Sequence, residues 1–569
     1  MKQRLLVAGS CLLVVAAVAA GCGGSDSGGS DNDQGGTPAT SDESGHKGGT
    51  LTMLWSAPGQ SIDTAIAYDQ NWQVLRMAGD GLLAWKQVTG PAGVELVPDL
   101  AESIPEPTDG GKTYAFTMRD GIKFSTGETV KPSDIRYTIE RNFKAAGPGS
   151  GFYASLVGAD VCAKKPKTCD LSKGIVADDA ANTVTFKLSE PDPDLLQKLA
   201  MPFAFVVPKG TPNKDIGTDP LPATGPYVIT KYDPDSEMVF DRNPEFKEWS
   251  VDAQPAGNPD KIVMKIGLPL EDATTQIQNG DADWMYDTPP ADRLGEISTK
   301  FESQVHINAG PQVYHMALNT NVAPFDDKDV RQALNFAVDR DAVIKIAGGP
   351  ALARATCQIL PPDFPGYQPY CPYTKNPGEK WTAPDMAKAK QLVDASGTKG
   401  QKVTIISTND ETTKAIDLYF VSVLRELGYD AGIKSLNGGV QYAYVQDSSN
   451  KAQASYSYWF PDYPAGSNFF NIVVGCNGFT PNSSSSPNLA QFCDPAIQKQ
   501  TEAAMQLEST DREAADAKWA EIDKATTDAA PWVSLYVANR LDFVSSRLGN
   551  YKFNPSVAGG FMIQQAWVK

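Results

Sequence analysis

The residues best suited to chemistry are few, and cysteine leads them. Six cysteines fall as local couples: Cys162 with Cys169, Cys357 with Cys371, and Cys476 with Cys493. Paired thiols close disulfides or bind zinc. Zinc sites favour CxxC spacing and nearby histidines, and neither accompanies these couples. Disulfides are therefore expected, together with the oxidising compartment that permits them. Six cysteines allow fifteen connectivities, of which nearest-neighbour pairing is the simplest. Each short loop closed in this way contributes roughly 2.5–3 kcal/mol in the chain-entropy model.

Histidine offers less. His306 and His315 lie nine residues apart around Gly310-Pro311, a turn signal, and His46 is the only other histidine. Both are expected to be structural, and three histidines are too few for a histidine-rich metal centre. The motifs GxSxG, HExxH and GxGxxG are absent, which removes the commonest hydrolase, zincin and dinucleotide signatures. Gly111-Lys112-Thr113 imitates the end of a phosphate loop, but a strand pattern follows instead of a helix start. It is expected to be a hairpin turn. No catalytic constellation, cofactor or metal site is expected, and an exported hydrolase is a weak third reading because a nucleophile would need a histidine base.

The remaining two cysteines belong to the first 22 residues. Lys2 and Arg4 precede an apolar run, 5–20, and then Gly21 and Cys22. The run is shorter than the roughly 20 residues of a spanning helix, and small residues end it, so 1–21 reads as a signal peptide. Val18-Ala19-Ala20-Gly21-Cys22 resembles a bacterial lipobox, which makes Cys22 the expected lipidated N-terminus. Two acyl chains anchor firmly where one is marginal. Residues 23–49 contain nine Gly, five Ser and five acidic residues with no large apolar side chain. With Cys22 they form an expected flexible tether, 22–49, spanning roughly 26–31 Å.

The elements that must position any site come from the remaining chain. The 569 residues are 41% hydrophobic with a net charge of −18. Such a chain can build a large acidic globular body, and its charge argues against nucleic acid as a partner. Strand patterns recur at 51–55, 113–119, 261–268, 402–407 and 532–537, with hairpins at 174–189 and 227–241. Helical spacing marks 69–78, 132–144, 412–427, 495–507 and 511–527, and one helix within 329–349 that Gly348-Gly349 stops. The chain becomes more helical beyond Asn308. The alternation of elements indicates an α/β protein.

Several phrases in order resemble the bacterial extracellular solute-binding proteins of family 5, the dipeptide, oligopeptide and nickel type. They are PDLAES (98–103), TYAFTMRDGIKFSTGE (113–128), KPSDIRYTIER (131–141), GPYVITKYDPDSEMVFDRNPEF (225–246) and VRQALNFAVDRDAVI (330–344). The resemblance implies a two-lobed, periplasmic-binding-protein-like clamp of type II with an extra subdomain. Lobe I would comprise 50–83, 206–310 and 532–569, the inserted subdomain 84–205, and lobe II 311–531. A ligand would bind between lobes that close by hinge motion. The implied partner is an ABC permease, with the chain a monomer anchored by lipid to the outer face of the cytoplasmic membrane.

Within YSYWFPDYPAGSNFF (456–470), the run Trp459-Phe460-Pro461-Asp462 resembles the family's W-x-x-D segment. There, the resemblance implies that Asp462 receives a peptide ammonium, with Trp459, Tyr463 and Phe469 lining pockets. Short peptides are thus the expected ligand. An oligosaccharide, a nickel chelate or another solute remains the alternative, because aromatic residues also stack on sugars.

Overall fold

A computed structural model describes residues 46–508, 510–556 and 560–569. The signal peptide, Cys22 and most of the tether lie outside the described residues.

The first lobe is built on a five-stranded sheet. Its order is Trp284–Met285, Thr50–Trp55, Lys261–Ile266, Glu237–Arg242 and Tyr227–Asp233. Thr50–Trp55 runs parallel to both its neighbours, and the 227–242 hairpin completes the sheet antiparallel. A three-stranded antiparallel sheet, Thr113–Thr117, Thr183–Lys187 and Ile175–Asp178, shares the same hydrophobic core through Phe116, Phe186 and Val184. Helix Pro132–Lys144 covers it. Pro132 suits the first turn, and Asp134 accepts from the Lys131 backbone N–H at 2.9 Å. Ile135, Ile139 and Phe143 recur every fourth residue and are buried.

The second lobe has a six-stranded sheet ordered Ala353–Ala355, Trp532–Phe543, Val305–Leu318, Ala454–Trp459, Lys402–Thr408 and Asp430–Leu436. Helices Lys328–Ala337, Glu411–Glu426, Pro495–Glu508 and Arg512–Ala529 pack around its two cores. The single helix expected within 329–349 is two, Lys328–Ala337 and Arg340–Ile346. Asp339 breaks it by accepting from the backbone N–H groups of Asp341 and Ala342, a local bond that competes with helix continuation.

Two long antiparallel strands carry the chain between the lobes. Along Trp532–Phe543, Val533 and Leu535 pack in the second-lobe core, whereas Leu541 and Phe543 pack in a first-lobe cluster. The partner strand, Val305–Leu318, contains Gly310-Pro311, so the expected turn is not there. The pair instead absorbs the proline as a register shift between Ala309 and Val313. A Cβ at Gly310 would stand 2.9 Å from the Ala538 carbonyl, so the close strand approach needs glycine. His306 and His315 lie in this one strand, stacked on Tyr551 and Trp532 at 3.8 and 3.5 Å.

Three disulfides join Cys162 to Cys169, Cys357 to Cys371 and Cys476 to Cys493. Each closes a local loop, and all three link nearest neighbours.

Candidate binding site at the junction of the lobes

The strand Ala454–Trp459 ends where Phe460 meets Pro461, which has no N–H to extend a ladder. The chain then crosses to the other lobe. Tyr463 and Ala465 enter the first-lobe core, while Phe469 and Phe470 return to a core of the second. Gly466 makes the crossing possible, because a Cβ there would lie 2.4 Å from the Trp519 ring. The segment is thus clamped at both ends by apolar burial.

Asp462 sits at its centre, buried to 6% exposure. The Tyr68 hydroxyl, from the first lobe, donates to Oδ1, and Asn468 Nδ2 donates to Oδ2 at 3.3 Å. Burial pushes the Asp462 carboxyl up from the usual carboxylate range, against these two bonds and the charge of Lys198. Lys198 itself is engaged by Asp192, 2.8 Å from both its oxygens. Among the described residues no ion pair reaches Asp462. A buried carboxylate is stabilised only when paired and hydrogen-bonded. Asp462 has neutral donors alone, in a position where the lobes meet.

Asn468 ties this carboxylate to Trp459. Its Oδ1 accepts from Trp459 Nε1 at 2.9 Å and from the Asp462 backbone N–H at 3.1 Å. Trp459 is half-buried and lines a small pocket with His315, Tyr442, Ser457, Tyr458 and Trp532. Trp459, Ser457 and His315 share one face of the sheet, since Val313 is opposite Trp459 and His315 opposite Ser457.

Tyr463 is placed otherwise. Its hydroxyl donates to Asp194 Oδ2 at 3.0 Å and Ser467 Oγ to Oδ1 at 2.7 Å, so the ring anchors the crossing instead of lining the cavity. Glu508 lies within hydrogen-bond reach of Asp194, and it accepts from Trp519 Nε1 at 2.7 Å. Burial, and then the neighbouring Asp194 charge, hold the Glu508 carboxyl well above its ordinary value. Phe469 is fully buried, edge-on to Phe364 at 5.4 Å. It serves the lobe core, which corrects the expectation that it lines a pocket.

The structure therefore brings Asp462 and Trp459 together and adds Tyr68, Asn468, Tyr442 and Tyr458. Asn468 was within reach of sequence reasoning, six residues beyond Asp462 in the same segment. Tyr68, 394 residues away, carries no such signal. Among the described residues, no group of three His, Cys, Asp or Glu could hold a metal ion, and no helix is long and apolar enough to cross a membrane.

Relatives share this architecture. A di/tripeptide-binding protein of Pseudomonas aeruginosa is 25% identical over 433 residues, covering 72% of this chain and 74% of that protein. Among solved structures, a clavulanic acid biosynthesis oligopeptide-binding protein superposes with a TM-score of 0.82 at 23% identity, covering 92% of this chain and 96% of the other. An unliganded open form of a periplasmic murein tripeptide-binding protein gives 0.74 at 23% identity, over 91% and 97%. These establish the two-lobed α/β clamp. The model of the bacterial extracellular solute-binding proteins, family 5 Middle, matches residues 95–481, and this chain belongs to that family.

Proposed function

We propose that this chain captures short peptides between its lobes and delivers them to an ABC permease, without itself catalysing a reaction. The observation that carries this reading is Asp462: a buried carboxylate with two neutral donors, no ion pair among the described residues, and exposed rings beside it. An ammonium supplies the missing charge, and a peptide N-terminus is an ammonium with an apolar backbone attached. Tyr68 comes from one lobe and Asp462 from the other, so a ligand held at the carboxylate reports directly on lobe geometry. The long strands 305–318 and 532–543 form the hinge, and binding energy that differs between lobe arrangements drives the motion. The domain division proposed from sequence accompanies this reading, with the strands 305–318 and 532–543 shared between its lobe I and lobe II.

Lipidation at Cys22, followed by the flexible 22–49 tether, would keep the clamp at the outer face of the cytoplasmic membrane, as a monomer beside its permease. The named peptide-binding relatives support the choice of ligand. The test is mass spectrometry of small molecules released when the purified chain is denatured. Short peptides with free N-termini are expected. Release of a sugar or a metal chelate instead, with no peptide, would overturn the peptide reading and leave a receptor for another solute.

A further inference from the structure

In a chain of net charge −18, the Cys162–Cys169 disulfide closes a loop that holds Lys164, Lys165 and Lys167 and no acidic residue. Both cysteines are buried in the first-lobe core, so the loop is pinned at its two ends while its lysines stand in solvent. Pro166 fixes one φ between them. Val161, just before the loop, is 56% exposed, and the Lys165 backbone N–H donates to its carbonyl at 2.9 Å. That helical turn puts Val161, Lys164 and Lys165 on one face. Lys173 is exposed a little further along the chain. Lys164 has an exposed partner in Asp160, 3.6 Å away, whereas Lys165, Lys167 and Lys173 have no ion pair among the described residues.

We propose that this basic loop, with Val161 at its edge, docks on anionic phospholipid headgroups and turns lobe I towards the membrane. The assignment rests on the Cys22 anchor proposed above and is independent of the ligand. Its first support is charge complementarity. An anionic surface repels a strongly acidic body, so contact is favourable only through a local positive face. Its second support is the kind of cation. The loop carries lysines and no arginine. Lysine is a point charge on a flexible stem, suited to fluid headgroups, whereas a fixed carboxylate partner is better met by the planar fork of arginine. Val161 supplies an apolar contact beside the lysine stems, which lie along such surface while their ammonium groups stay in water.

The magnitude suits an anchored protein and no other. Across 159–173, four lysines face two aspartates, Asp160 and Asp170. That net charge gives roughly a 10–30-fold bias towards orientations with the loop on an anionic surface. Such a bias captures nothing from dilute solution. It suffices for a tethered chain, whose effective concentration at the surface is of millimolar order. Surface charge is screened within about 8 Å at physiological salt, well inside the reach of the proposed tether, so orientation requires contact. Since Cys162 and Cys169 belong to the first-lobe core, that contact holds lobe I and leaves lobe II to move.

The experiment is lysine footprinting of the full, host-processed chain added to vesicles of phosphatidylcholine alone or mixed with phosphatidylglycerol. Brief acetylation at low reagent is read by peptide mass spectrometry. On the anionic vesicles Lys164, Lys165 and Lys167 should be acetylated roughly threefold or more slowly than on the neutral ones, and high salt should abolish the difference. Lys375 and Lys451, exposed elsewhere, should react alike on both. In the double variant Lys165→Glu, Lys167→Glu, whose folding is checked by thermal melting, the protection of Lys164 should vanish. Equal acetylation on the two vesicles, or protection that survives in the variant, overturns the lipid surface. Protection that appears only in native membranes assigns the loop to a protein partner and overturns it too. Failure of the chain to float with phosphatidylcholine vesicles overturns the Cys22 anchor, while acetylation at saturating anionic lipid still decides the loop.

Discussion

Two buried aspartates, one inside the first lobe and one where the lobes meet, have opposite surroundings. Asp63 is fully buried and meets a guanidinium squarely: Arg141 Nη1 and Nη2 lie 2.6 and 2.5 Å from its two oxygens. Arg141 also donates to the Pro212 and Lys214 carbonyls, at 2.8 and 2.9 Å. That pair knits helix Pro132–Lys144 to the chain on either side of it and has no capacity left for a ligand. Asp462 is as buried in practice, yet receives only a phenol and an amide. The difference teaches that burial alone does not separate a structural carboxylate from a receptive one; the charge of its partners does. Neutral donors alone are not enough either. Asp523 accepts from Gln358 Nε2, the Ile359 backbone and Thr527 Oγ1, and is held up to about 7 by burial. Its donors saturate it within one lobe, where it anchors the loop that begins at Cys357–Cys371.

The largest effect should come from breaking the structural pair. Arg141→Ala leaves Asp63 buried and uncompensated, and one-sided loss of a buried pair costs roughly 3–5 kcal/mol. Denaturant unfolding should show that loss. A loss below about 1 kcal/mol would erase the contrast between the two aspartates.

A smaller effect sharpens the other side. Tyr68→Phe removes one donor to Asp462 and a contact between the lobes. A hydrogen bond to a charged group contributes about 1.5–3 kcal/mol, so peptide affinity should weaken roughly tenfold or more. Titration of this variant checks it, and unchanged affinity would mean that Tyr68 leaves the site when ligand enters.

The smallest effect concerns protons. Glu508 has its folded-state pKa raised by burial and by Asp194. Its contribution to stability is therefore fully present below the unfolded value and is lost as pH rises through the folded one. Glu508→Gln mimics the protonated acid, still able to accept from Trp519 and to donate to Asp194. Melting temperature should then fall less steeply towards alkaline pH than in the parent chain, with a gain of roughly 1–3 °C at pH 8. An equally steep decline would show that the Asp194–Glu508 proton does not report on this junction.

How much of this was legible in the sequence follows from the range of each interaction. Helix 132–144 could be read because proline, an acidic first turn and a four-residue apolar repeat are local signals, and the structure has Pro132–Lys144. The strands at 50–55, 261–266 and 402–408 declared themselves by composition in the same way. Strand 305–318 did not, because Gly310-Pro311 looks like a turn until a long partner strand absorbs it as a bulge. Asp462 and Trp459 stood out in a single segment. Phe469 stood out equally, yet a ring's environment depends on Phe364, over a hundred residues away. Tyr68 and Asp194 reach the junction only through the fold, so no local pattern could supply them.

The central claim is that Asp462 holds a ligand's ammonium, and a thermodynamic cycle tests it most directly. Parent chain and Asp462→Asn are each titrated with a short peptide and with its N-acetylated form. Each change alone should weaken binding by about 10²–10³-fold, since each strands one half of a desolvated ion pair. The two losses should not add, because both remove the same interaction. Melting should change little in Asp462→Asn, which keeps a similar shape and removes an unpaired buried charge. Losses that multiply in full, or undiminished binding by Asp462→Asn, would contradict the ammonium site and turn the search towards a ligand without an amine.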